Sequence, residues 1–224
     1  MRYLRTRMPA LCYLCNRYHT QQYVLCASCN DLIEPLGPAC EYCATPLPDI
    51  KPMICGACCI KRPTVDRVIT HYRFAEPLRS LIHAFKYDAA LYLRSWLTQL
   101  LLDAKPEGYT TECLMPVPLH PTKLRQRGFN QAALLTRTLS QHLKLPHALD
   151  GCRKIAVTLP QAGLSAAQRQ TNLNRSFQAK PLPYQHITLI DDVYTTGATA
   201  NSIALLLKKQ GVKHIDVWCC ARTC

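Results

Sequence analysis

Two adjacent carboxylates, Asp191 and Asp192, follow a mostly apolar run, Ile187-Thr188-Leu189-Ile190, and precede Val193-Tyr194-Thr195-Thr196-Gly197-Ala198-Thr199. Paired carboxylates are acceptors suited to sugar hydroxyls or to a hydrated Mg²⁺. Thr195, Thr196 and Thr199 add hydroxyl donors, and Gly197 lets the backbone approach a ligand closely. An apolar-periodic run begins at Ala200, so the order reads as strand, loop and helix. Ligands of parallel α/β sheets sit outside the carboxyl ends of the strands. The N–H groups and dipole of a helix start suit a phosphate. The stretch therefore predicts a phosphate cradle beside a reader of a sugar diol. The plainer reading is a capped helix with two solvated aspartates, but packing alone gives little reason for paired carboxylates there.

The second chemical signature is four Cys-x-x-Cys pairs: Cys12/Cys15, Cys26/Cys29, Cys40/Cys43 and Cys55/Cys58. Two such knuckles supply the four-sulfur tetrahedral shell that Zn²⁺ favours. The spacing predicts a duplicated zinc-ribbon unit of about thirty residues holding two structural ions. Sequential pairing puts Cys12, Cys15, Cys26 and Cys29 on one ion and Cys40, Cys43, Cys55 and Cys58 on the other; cross-braced pairing also fits the spacing. An iron–sulfur cluster or redox thiols are the competing chemistries. A small head buries too little apolar surface by itself, so metal would supply its folding energy. Cys113, Cys152, Cys219 and Cys220 lie in strand-like runs and read as core. His19, between the first two knuckles, reads as a solvated loop residue.

Cations form the third signature. Lys123, Arg125 and Arg127 alternate before Gly128 and Phe129, and in extended chain they would project to one side, towards a phosphate-rich strand or a pyrophosphate. A solvated basic loop is the alternative. Arg169 and Asn172 in the polar segment 161–174, and Arg175 just after it, stand three apart and suit a lid that closes over an anion or an ordinary solvated helix. Lys86 and Arg94 are further candidates to point at an anion, although solvated cations are the commoner outcome.

These residues need elements to hold them. The chain has 224 residues, 48% of them hydrophobic, enough for a real core. Its formal net charge is +13, of which +3 lies in residues 1–63 and +10 in residues 64–224, which suggests phosphate-bearing partners. No signal peptide or membrane span is read from the sequence, and fourteen cysteines in an intracellular chain point to reduced, metal-holding thiols. Prolines 46, 48, 52 and 63 predict a head of turns and short strands, with Lys61-Arg62-Pro63-Thr64 as linker. Beyond it the periodicity predicts strands over 65–74, 113–118, 153–159, 187–191 and 214–220. Helices are predicted from Leu78 to Phe85 and over 91–102, 132–145 and 200–210. Such alternation implies a parallel sheet with helices on its faces.

The Asp191–Thr199 stretch resembles the phosphoribosyl-pyrophosphate (PRPP) loop of type I phosphoribosyltransferases. Three further stretches join it: the four knuckles, the segment from Pro118-Leu119-His120-Pro121 to Arg127-Gly128-Phe129-Asn130-Gln131, and Gln161-Ala162-Gly163-Leu164-Ser165 with Arg169 and Asn172. In this order they resemble the ComF family (ComFC-type proteins), over nearly the whole chain. The resemblance implies an α/β fold, a type I phosphoribosyltransferase-like parallel sheet flanked by helices in residues 64–224, with an N-terminal zinc-binding domain in residues 1–63. It implies a PRPP site in which Asp191 and Asp192 contact the ribose hydroxyls and Thr195 to Thr199 hold the 5′-phosphate. Val193 and Tyr194 complete that loop. Leu119 and His120 fall at the pyrophosphate loop, and residues 161–174 at a hood whose Arg169 joins Asp191 and Asp192 as a catalytic residue. Mg²⁺ would bridge diol and pyrophosphate. The family's association with natural competence implies single-stranded DNA as a partner, handled in the cytoplasm. Lys123, Arg125 and Arg127 would follow the backbone while Phe129 or Tyr194 stacks a base. It also implies DNA-uptake machinery or a helicase as protein partners, docking the chain at the inner face of the membrane. Alternatives are an active phosphoribosyltransferase with an unknown acceptor, and a zinc-dependent docking module whose large domain is a degenerate scaffold.

Overall fold

The structure is a computed structural model, and it describes residues 9–48, 53–155 and 176–224. Its centre is a four-stranded, all-parallel sheet. In chain order the strands are β3 (Arg67–Ile69), β4 (Cys113–Pro116), β7 (His186–Tyr194) and β8 (His214–Arg222); in space the order is β3-β8-β7-β4. Both inner strands are long and apolar on both faces, as burial under two helical layers requires. On one face Ile190, Trp218 and Cys220 pack with Trp96, Leu97 and Leu101 of α4 (Arg94–Asp103) and Leu135 and Leu139 of α6 (Gln131–Leu143). On the other, Ile187, Leu189, Ile215, Val217 and Cys219 pack with Ile203, Ala204 and Leu207 of α7 (Ala198–Lys209). Strand alternation thus divides one continuous apolar run into two cores.

The helix face expected from Leu78, Leu81, Ile82 and Phe85 exists. All four are buried in α3 (Leu78–Tyr87), which leads through a short 3₁₀ turn, Leu91–Leu93, into α4. Cys113, Cys152, Cys219 and Cys220 are core residues, as read from the sequence. Some boundaries differ. The first sheet strand covers only Arg67–Ile69 of the expected 65–74. The run expected over 153–159 contributes β5 (Cys152–Lys154), which pairs antiparallel with β6 (Phe177–Ala179) outside the main sheet; its later residues lie outside the described ones. β7 extends three residues beyond Asp191, because Asp191, Val193 and Tyr194 still pair with Cys219, Ala221 and Arg222 of β8.

The Cys-rich region is built twice on one plan. The first knuckle of each half closes on a turn whose next residue has positive φ: Asn16 at 56° and Ala44 at 54°. The N–H of Asn16 donates to Cys12 O, and that of Ala44 to Cys40 O. The second knuckle opens a one-turn helix on its first cysteine: Cys26 precedes α1 (Ala27–Asn30) and Cys55 precedes α2 (Gly56–Ile60). The first half also carries a two-stranded ribbon, β1 (Ala10–Leu11) with β2 (Tyr18–His19). The two halves differ in what supports them. Cys12, Leu25, Cys29 and Ile33 belong to the same core as α3 and α4, and the Trp96 indole N–H donates to Asn30 Oδ1 at 3.0 Å. Cys40, Cys55 and Cys58 form a small cluster of their own with Tyr42, Leu47 and Ile54. Cys12→Ser should therefore lower the unfolding temperature of the whole chain. Cys58→Ser should remove hydrogen-exchange protection mainly around residues 40–60. Equal, global loss of protection in both variants would contradict this asymmetry.

Candidate functional site

The two cysteine groups meet the geometric demand of a tetrahedral metal. The Sγ atoms of Cys12, Cys15, Cys26 and Cys29 all lie within 4.8 Å of one another, and so do those of Cys40, Cys43, Cys55 and Cys58. The sequential pairing is the one present. Cys15 and Cys26 sulfurs stand 3.8 Å apart and those of Cys43 and Cys55 3.6 Å; ZnS₄ with bonds of about 2.3 Å needs edges of about 3.8 Å. Burial raises the Cys12 thiol, but backbone N–H donors from Cys26, Cys15 and Leu14 outweigh it and bring the group down to about 6. Cys29 moves the other way, up to about 12, through burial and then its three neighbouring thiols. Four thiolates this close need a dication among them, so each group can hold one zinc ion. His19 is in neither group.

The carboxylate pair sits at the carboxyl end of β7, at the middle of the sheet. Each carboxylate is fixed locally: Asp191 Oδ1 accepts from the N–H of Asp192, and Asp192 Oδ1 from that of Val193, both at 2.9 Å. Asp192 is buried, and its other oxygen is ion-paired with Lys86 Nζ at the end of α3. Burial raises the Asp191 carboxyl to about 7, with Lys86 pulling against that shift. Burial likewise draws the Lys86 ammonium below its ordinary value; Asp191 opposes the fall, and Arg127 and Lys123 add to it. Lys86, Tyr87, Lys123, Gln126 and Arg127 line one pocket of about 180 Å³. Lys86 thus joins Asp192 to a pocket that it shares with Lys123 and Arg127, a field that suits polyanionic phosphates next to a diol or a hydrated divalent cation.

The loop beyond is shaped by Gly197, which precedes α7 at φ +74°. A Cβ there would fall 2.0 Å from Tyr194 Oη, so the tyrosine ring closes over the glycine as well as requiring its left-handed backbone. Tyr194 is buried, with the Arg222 guanidinium over its ring, whereas Thr195 and Thr196 are exposed. Arg222 also donates from Nε to Cys43 O at 2.9 Å, tying the loop to a knuckle of the second cysteine group. Asn201, one turn into α7, donates to Gly197 O, and its Oδ1 accepts from Thr64 and Val65. Sequence reading missed both bracing residues. A polar residue four positions after the glycine was the available signal for Asn201; Arg222 offered none.

Leu119 and His120 follow β4, on the edge next to β7. His120 is a helix cap, its Nδ1 accepting from the N–H of Thr122. The basic segment is not extended chain but α5 (Pro121–Arg127), framed by Pro121 at its first position and Gly128 at φ +83° after its last. Helical geometry changes which cations share a face: Lys123 and Arg127, four apart, line the pocket beside Lys86, while Arg125 turns away from it. Phe129 is half-buried, with one side against Phe85 at 6.1 Å between ring centroids, and it lines a cavity of about 740 Å³ with Leu119 and Leu124. Tyr194 is closed in. Tyr87 is 62% exposed, with the His83 ring 4.6 Å and the Arg127 guanidinium 4.7 Å from its ring centre. Arg169 and the expected hood, 161–174, lie outside the described residues.

With this geometry in hand the relatives are informative. The chain is 35% identical to Competence protein F of Haemophilus influenzae, over 91% of its own length and 93% of that protein. The chain belongs to the ComF family. It is 33% identical to DNA utilization protein YhgH of Escherichia coli K12, over 96% and 98% of the two chains, and 26% identical to Competence protein ComFC of Streptococcus pneumoniae, over 88% and 87%. No family model matches it. Among solved structures, one described as the allosteric regulatory enzyme of purine biosynthesis aligns with 56% of this chain at 17% identity and a TM-score of 0.37; this chain spans a quarter of its length. Among the described residues of this ComF-family chain, no helix is long and apolar enough to cross a membrane.

The raised Asp191 carboxyl carries a sign. The folded state binds a proton that the unfolded state releases near pH 4, so this group's contribution to stability falls as pH rises from about 4 to 7. Without added metal or ligand, Asp191→Asn should stabilise the protein at pH 8 by roughly 1–2 kcal/mol, less than the full shift because the crevice is partly open to solvent. The gain should shrink through pH 6 and vanish near pH 4. Denaturant unfolding at three pH values checks it, and a variant destabilised at pH 8 would mean a favourably ionised Asp191.

Proposed function

We propose that this protein binds PRPP at the Asp191–Thr199 loop and handles single-stranded DNA across the adjacent basic helix, in the uptake or use of incoming DNA in the cytoplasm. The observation that carries the reading is the Lys86–Asp192 ion pair at the carboxyl end of the sheet, at the edge of a pocket that Lys86 shares with Lys123 and Arg127. The names of the relatives, two concerned with competence and one with DNA utilization, support the DNA side of it.

In this reading the carboxylates take the ribose hydroxyls and a hydrated Mg²⁺ that travels with PRPP. Threonine hydroxyls and the first N–H groups of α7 take the 5′-phosphate. Lys86 holds Asp192 in place and, with Lys123 and Arg127, offsets the charge of the pyrophosphate. Leu119 and His120 border the pyrophosphate from the β4 side, with Arg169 contributing from the segment beyond β5. The knuckle region, residues 1–63, acts as a zinc-stabilised buttress for the loop through Arg222, while residues 64–224 carry the binding chemistry. Along the DNA, Lys123 and Arg125 take phosphates while Phe129 and the exposed Tyr87 offer faces for bases.

Calorimetry with PRPP and Mg²⁺ should show binding that is lost, at least a hundredfold, in Asp191→Asn/Asp192→Asn while the circular dichroism spectrum persists. Equal binding in the double variant rejects the site. Pyrophosphate release on adding candidate acceptors would add a transferase activity to the binding function. For DNA, the affinity of a fluorescent single strand should fall steeply with salt. Lys123→Ala and Arg125→Ala should each reduce the slope of log K against log salt by roughly 0.7, and Tyr87→Ala should weaken binding about tenfold. An affinity indifferent to salt would sink the DNA role.

A further inference from the structure

The opposite end of the same two strands carries a second polar constellation, which none of the chemistry above uses. In-register pairing sets His186, the first residue of β7, against His214, the first of β8, and Thr188 against Asp216. Residues two apart on a strand share a face, so both imidazoles and the carboxylate meet on one side of the sheet. His186 Nε2 lies 3.0 Å from Asp216 Oδ2, and His214 Nε2 lies 3.1 Å from Asp216 Oδ1. The imidazole ring centres are 4.5 Å apart. Asp216 is 1% exposed, and the Tyr109 hydroxyl donates to its Oδ2 at 2.8 Å while also bonding Thr188 Oγ1. The trio opens on a cavity of about 520 Å³ walled by Tyr42, Asp66, Pro106, Gly108 and Tyr109.

Charge makes this arrangement incomplete as an arrangement of neutral imidazoles. Both ring nitrogens of His214 face carboxylates: Nε2 faces Asp216, and Nδ1 stands 4.0 Å from Asp66 Oδ2. A neutral imidazole has one N–H, so one lone pair would point at an anion. Asp66 is held by Lys208 at 2.9 Å and by the N–H of Ile215, and does not turn away. A cation between Nε2 and Asp216 would take up that lone pair and leave the Nδ1 proton on the Asp66 side, at 4.0 Å and so at ion-pair rather than hydrogen-bond distance. The spacing agrees: ligands bonded at about 2.1 Å to one ion stand about 3.0–3.4 Å apart.

We propose that His186, His214 and Asp216 form a third metal site, separate from the cysteine groups, for a divalent first-row transition ion. Two imidazoles and one carboxylate suit zinc, cobalt or iron and leave coordination positions open towards the cavity, where water or an anionic ligand would bind. Five to six residues of β7 separate it from Asp191 and Asp192, roughly 15–20 Å at a strand's rise, so it stands independently of the PRPP reading.

The test uses the full chain with zinc already in both cysteine groups. Addition of Co²⁺ should give weak visible absorption without a thiolate-to-metal charge-transfer band, and elemental analysis after desalting should show three metal ions per chain. His214→Ala, at a side chain 49% exposed and therefore tolerant of change, should lower that to two, as should His186→Ala. Tyr109→Phe should weaken Co²⁺ binding about tenfold by removing the donor that orients Asp216. Full occupancy in folded His214→Ala would overturn the site. So would wild-type Co²⁺ binding weaker than about 1 mM with imidazole NMR signals unmoved by the ion; the trio would then be a protonated His–Asp–His network.

Discussion

A strand paired on both edges and covered on both faces has only its ends left for chemistry. β7 is in that position, bonded to β4 and β8 and pressed between α4 and α6 on one side and α7 on the other. Its middle residues are mostly apolar, and apart from Thr188, which is satisfied by Tyr109 and Thr111, its polar groups lie towards its ends. At the carboxyl end the strand delivers two carboxylates into the crevice where parallel sheets meet ligands. At the amino end its pairing with β8 brings His186 and His214 together over Asp216. Register decides both: a slip of one residue would turn each set to the opposite face.

Placing carboxylates in a low-dielectric crevice has a cost that the surrounding structure manages unevenly. Asp192 is closed in and holds Lys86 as its counter-charge. Asp191 is less well compensated and holds its proton up to about neutral pH. The cations around them are also out of their preferred environment, since Lys86 is partly desolvated and sits near Lys123 and Arg127. Both signs of charge in this crevice are thus incompletely satisfied by the protein itself.

The cysteine-rich region is more than an appendage. Its first half shares the apolar core under α3 and α4, so metal there would brace the sheet from one side. Its second half has a core of its own too small to hold by apolar burial alone. Yet that weaker half is the one joined by Arg222 to Tyr194 and through it to the Gly197 turn. The geometry of the Tyr194–Gly197 turn thereby leans on a unit whose order depends on its thiol cluster.

Local patterns were legible because they rest on local physics. Alternating and helical periodicity marked α3, α4, α6, α7 and the long strands, and the Cys-x-x-Cys spacing marked the knuckles down to their duplication. Asp191 and Asp192 stood out because carboxylates rarely close an apolar strand without a task. The same local reasoning misread Lys123–Arg127 as extended, since alternating cations look alike in either conformation and the decisive caps, His120 with Pro121 and then Gly128, act together. What no local pattern carries is a partner distant in sequence. Lys86 meets Asp192 across more than a hundred residues, Arg222 reaches back to Cys43, and His186 finds Asp216 only through the register of β7 on β8. The sequence by itself determined the carboxylate pair, the knuckles and most of the segments that carry them. The tertiary structure alone decided which of them meet, because ion pairs, ring contacts and converging ligands are set by packing and strand register, and these are properties of the whole chain.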